Sequence, residues 1–75
     1  MTTVTVLNGE PPTLERAQAI VGGYVELVTL ADGSQLLINE EGRLKGLELN
    51  PTASALYGGL IVGNVLLLQS TARWT

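Results

Sequence analysis

Hydrophobic and polar positions along this chain change period several times, and each change predicts an element. Thr2 to Leu7 (T-T-V-T-V-L) alternates β-branched and aliphatic residues and reads as a first strand. Asn8-Gly9-Glu10-Pro11-Pro12 stops it, because two consecutive prolines cannot donate to a strand ladder. Thr13 is a candidate N-cap, with Glu15 in the first turn, where the helix dipole favours a carboxylate. Leu14, Ala17, Ile20 and Val21 recur at helical spacing, so a helix is predicted over 14–21, ended by Gly22-Gly23.

Alternation returns at Tyr24 to Leu30 (Y-V-E-L-V-T-L), a second strand, and Asp32-Gly33 signals a tight hairpin into a third strand at Gln35 to Ile38. Asn39-Glu40-Glu41-Gly42 reads as a further turn, and Arg43 to Leu47 as a short fourth strand or an extended arm, completing a β-meander. Asn50-Pro51 is an N-cap followed by proline at the first helical position, so a second helix is predicted over 51–57, stopped by Gly58-Gly59. Leu60 to Gln69 is almost continuously apolar, the pattern of a strand buried on both faces, centrally in a sheet or at a subunit interface. Gly63-Asn64 predicts a turn or bulge before Val65 to Leu68. The expected fold is α+β: a small, mostly antiparallel sheet of four to five strands with two short helices. It forms a single domain over 1–75, with 70–75 a C-terminal tail carrying Arg73 and Trp74.

Composition sharpens this. A domain of 75 residues buries only about 60% of the surface of its unfolded chain, and small proteins add disulfides, a metal or a partner subunit. There is no Cys and no His, which removes disulfides, thiolate sites and imidazole sites. Hydrophobic residues make up 45% of the chain and charged ones 15%, more aliphatic surface than a small monomer hides easily. A homo-oligomer is therefore favoured over a monomer with a greasy surface.

The net charge of −3 and four scattered basic residues argue against long nucleic acid, whose binders carry a positive stripe. Those four could still converge across a symmetric oligomer. No apolar run approaches the roughly 20 residues of a membrane span, and the start of the chain does not read as a leader. A cytoplasmic protein with no membrane partner is expected.

Candidate chemistry is sparse. Nucleophiles and bases reduce to Ser, Thr, Tyr, carboxylates and the single Lys45, and neither Ser34 nor Ser54 sits in a nucleophile motif. No catalytic residue is assigned and an enzyme is not expected. Asn39, Glu40 and Glu41 have oxygens suited to a hard cation, but a solvated turn tip is the favoured reading, so no metal and no cofactor are expected. Gly22-Gly23 and Gly58-Gly59 read as helix terminators, ahead of a backbone cradle for phosphate. The ligand-binding candidates are Tyr24, Arg43, Tyr57, Arg73 and Trp74, which together supply aromatic faces for a purine and guanidinium groups for a phosphate. Half-buried packing is the competing role for each tyrosine, whereas Trp74 in a tail is expected to pack on a neighbouring subunit or a ligand.

Five segments carry a resemblance: V-G-G-Y-V-E at 21–26, D-G at 32–33, I-N-E-E-G-R-L at 38–44, G-L-E-L-N-P-T-A at 46–53 and I-V-G-N-V at 61–65. Together the pattern resembles a small domain family of unknown function found in phages, plasmids and bacterial mobile elements. The resemblance implies mobile-element biology and brings no catalytic residues. The expectation that follows is a phage-type, non-catalytic homo-oligomer, in the host cytoplasm if phage-encoded. It would sequester a nucleotide second messenger of antiviral defence in pockets between subunits. The alternative is a protein–protein inhibitor or accessory module acting through an apolar strand surface.

Overall fold

The computed structural model describes residues 1–74. Its elements are β1 (Val4–Leu7), α1 (Leu14–Val21), β2 (Val25–Thr29), β3 (Gln35–Asn39), α2 (Pro51–Tyr57) and β4 (Val65–Leu68). Both helices begin and end where local chemistry dictates. The Thr13 hydroxyl accepts from the Arg16 N–H at 3.1 Å, and the Asn50 side-chain oxygen accepts from the Ala53 N–H at 3.0 Å. Gly22 and Gly58, both left-handed, return their N–H groups to the carbonyls of Gln18 and Ser54. The glycine pairs are therefore helix terminators, which needs no phosphate to explain it.

The four strands form one sheet in the order β1-β4-β3-β2. β4 runs parallel to β1, while β3 is antiparallel to both β4 and β2. The α+β class holds, but the sheet is mixed and four-stranded. The expected mostly antiparallel arrangement fails because the first strand pairs with the last and runs parallel to it, after one crossover through α1 carries the chain from β1 to the far edge strand β2.

The segment 43–47 is not a strand, so the expected meander stops at the β2–β3 hairpin. Residues 40–46 wind through successive turns, in which the Lys45 N–H reaches Glu41 O, Gly46 N–H reaches Arg43 O and Leu47 N–H reaches Gly42 O. These local bonds consume the amides that a strand would offer to a neighbour. The predicted strand 60–69 shortens to Val65–Leu68. Gly63, at φ +81 with a Cβ position 2.9 Å from Leu47 Cδ1, turns the chain, and Val62 makes only an isolated bridge to Leu49.

Strand alternation divides the core across the sheet. Leu36, Val65 and Leu67 face one side, with Leu30, Ile61 and Ala53 of α2. Leu37, Leu66 and Leu68 face the other, with Ala17 of α1 and Ala72. All four residues of β4 are buried, each such side chain worth about 1.5–3 kcal/mol relative to exposure. Residues 70–74 do not form a free tail: Ala72 is fully buried in the second cluster, and half-buried Trp74 packs against it. Among the described residues, no helix is long and apolar enough to cross a membrane.

Candidate functional site

The hairpin register pairs Glu26 with Ile38 and Val28 with Leu36, so Glu26, Val28 and Ile38 share the α2 face of the sheet. Beyond β3, the turn at Gly42 passes so close to the 61–62 segment that a Cβ there would meet Val62 Cγ2 at 2.8 Å. Between this turn and the end of α2 lies an open cleft of about 300 Å³. Its apolar lining comes from Val28, Ile38 and Ile61, and its polar lining from Glu26, Glu40, Arg43 and Tyr57.

Two of the sequence-predicted ligand residues therefore meet. Arg43 is exposed and makes one long hydrogen bond, from Nη2 to Leu60 O at 3.4 Å. The one salt bridge among the described residues joins the Met1 amino group to Glu48, so neither Glu26 nor Glu40 neutralises Arg43 at contact distance. The Tyr57 ring lies close beside Gly59, where a Cβ would stand 3.2 Å from Cε2, and the half-exposed side chain lines the cleft. A guanidinium with no salt-bridge partner among the described residues, an aromatic face and two carboxylates line a cleft with an apolar floor. Chemically, the set can grip an anionic group, stack a flat ring and accept hydrogen bonds from hydroxyl or amino groups.

The other three candidates lie elsewhere. Tyr24, 65% exposed, sits in a shallow groove with Gln18, Gly23, Glu41 and Lys45. Arg73 and Trp74 lie at the opposite end of β3 from the cleft. There Arg73 donates to Gly33 O, and the Trp74 indole N–H donates to Pro12 O at 2.9 Å. Trp74 thus packs in part on its own chain, against the cluster on the α1 side of the sheet. One subunit divides the five residues among three places.

Other candidate groups have structural duties. Ser54 Oγ donates to Ile61 O at 3.1 Å and accepts from Ile61 N–H at 2.9 Å, closing the loop after α2. Asn39 is buried, donates to Val21 O and accepts from Glu41 N–H, so its oxygen shapes the turn. Sequence reasoning missed the roles of Glu26 and Glu40 at the cleft, together with the exposed leucines on its rim, Leu44 and Leu60. The signal for Glu26 was its place on the same strand face as Val28 and Leu30; nothing local marked the leucines.

A family model described as a domain of unknown function, DUF3846, matches residues 1–74, and the chain belongs to that family. No curated protein and no solved structure matches it.

Proposed function

We propose that this member of the DUF3846 family is a non-catalytic homo-oligomer that holds a small nucleotide, sequestering a second messenger of host antiviral defence. One observation carries the reading: exposed Arg43, held by a single long hydrogen bond and no salt bridge among the described residues, and Tyr57 line one cleft over an apolar floor. A phosphate suits the Arg43 guanidinium, and a base suits the exposed Tyr57 face. Glu26 and Glu40 would oppose a polyanion such as nucleic acid, yet they match the hydroxyl and amino donors of a single nucleotide. A cleft of about 300 Å³ stands at the small end of ligand sites. The mobile-element context implied by the sequence resemblance supplies the biological half of the proposal.

The test mixes excess protein with cyclic nucleotides and cyclised ADP-ribose species and follows free ligand before and after heat denaturation. Disappearance followed by intact release supports sequestration. A changed product means catalysis, and ligands that all stay free defeat the proposal.

A second reading has its own observation. Leu44 stands 88% exposed on the cleft rim, with half-exposed Leu60 beside the same cleft. A protein–protein inhibitor would use this rim, since the apolar strand β4 is covered on both faces. Arg43→Ala separates the two, abolishing capture of a nucleotide while leaving a leucine-driven contact nearly intact.

A further inference from the structure

We infer that β1 is the subunit interface, pairing antiparallel with β1 of a second copy about a two-fold axis at Thr5. This rests on the oligomeric part of the reading above and not on the ligand. Val65 N–H bonds Thr3 O at 3.1 Å and Gln69 N–H bonds Leu7 O at 2.9 Å, which fixes the side of β1 facing β4. Backbone alternation then turns the N–H and C=O of Val4 and Val6 to the open edge. No backbone or side-chain group among the described residues bonds them. A continuous row of unpaired donors and acceptors on an edge strand is a template for another strand.

A second copy fits this row by its own symmetry. With Thr5 on the axis, Val4 faces Val6 of the copy, and each such pair exchanges two N–H···O=C bonds. All four free groups of each strand are used, giving one continuous eight-stranded sheet. Val6, 47% exposed in the single chain, is covered by Val4 of the copy. Electrostatics select this edge too. Two copies each carrying −3 repel, but Thr2 to Leu7 contains no charge. The other edge, β2, carries exposed Glu26, the kind of residue that keeps an edge from pairing. The cleft is lined from the β2–β3 side, so edge pairing leaves it open.

The chain has no cysteine, so Thr5→Cys introduces a single thiol. A directly opposed, non-hydrogen-bonded antiparallel pair has Cα atoms about 4.5 Å apart, inside the range a disulfide spans. Thr5→Cys is expected to become a covalent dimer on mild oxidation, while Leu44→Cys, more exposed than Thr5 but away from the edge, stays monomeric on a denaturing gel. Native mass spectrometry of the unsubstituted chain is expected to give a dimer, and Val6→Lys a folded monomer. A monomeric unsubstituted chain overturns the inference, as do a folded Val6→Lys dimer and equal cross-linking of both cysteine variants. Ligand capture by Val6→Lys reports on the cleft separately, so loss of the dimer and loss of the ligand are distinguishable.

Discussion

The Gln35 carboxamide holds the Trp74 backbone at both polar groups: Nε2 donates to Trp74 O and Oε1 accepts from Trp74 N–H, each at 2.6 Å. Gln35 is buried at the start of β3, so this clasp ties the end of the described chain to the sheet. Gln35→Ala is expected to release residues 70–74 and cost about 2 kcal/mol, the usual scale for orphaned buried polar groups. Urea unfolding gives the cost. Emission from Trp74, the only tryptophan, gives the release as a red shift; unshifted emission would contradict the clasp.

Asn50 joins three segments. Its oxygen caps α2, while Nδ2 donates to Thr3 O at 3.1 Å and Gly63 O at 2.8 Å. Asn50→Ala loses the cap and leaves two carbonyls short, an expected cost of about 3 kcal/mol. Asn50→Asp retains the cap acceptor but turns a carboxylate oxygen toward those carbonyls, and should melt no higher than Asn50→Ala. Equal stability of Asn50→Asp and the parent would show that the two donated bonds contribute nothing.

At the cleft, Arg43→Ala and Tyr57→Ala should each weaken capture of the nucleotide at least tenfold, about 1.4 kcal/mol of binding. Both side chains are exposed, so unfolding free energy should move by no more than about 0.5 kcal/mol. Trp74→Phe, changed at the far end of β3, should leave binding alone. Calorimetry with the captured ligand checks all three. A binding loss confined to Trp74→Phe would move the site.

The Asp32 carboxylate accepts the Ser34 N–H at 2.9 Å in the β2–β3 turn, and this backbone bond, first among the causes, holds its pKa below the ordinary 3.8. A lowered folded-state value means that the turn's gain from this charge is complete above the unfolded pKa. It fades as pH falls through the lower folded value. Side-chain carboxyl shifts should therefore titrate below 3.8, and the Ser34 amide signal should move with the same midpoint. A midpoint at or above that value would mean the bond is not kept in solution.

Legibility followed the range of the physics. Thr13, Gly22, Asn50 and Gly58 bound the helices through contacts within a few residues, and both helix spans were readable from sequence. The order β1-β4-β3-β2 was not, because the pairing of Val4 with Val65 leaves no mark near either residue. Arg43 to Leu47 reads as a short strand or extended arm, yet Leu44 has nothing to pack against, and a segment without a partner surface falls to local turn bonds. Arg43 and Tyr57 were identifiable by type. Their union needed the long connection from β3 through α2 to β4, and β4, running antiparallel to β3, takes the chain on to Trp74 at the other end of the sheet.

β4, which joins β1 to β3, is synthesised after both. While β2 and β3 can close as a local hairpin, β1 must wait for Val65 to Leu68 before it has a partner. Such long-range pairing slows folding, because loop closure precedes its reward. A nascent chain halted short of Val65 therefore carries an uncharged, unpaired strand and a half-covered hairpin, a species prone to aggregate at the ribosome. Synonymous changes that slow translation just before Val65 should lower soluble yield, even though the finished protein is identical.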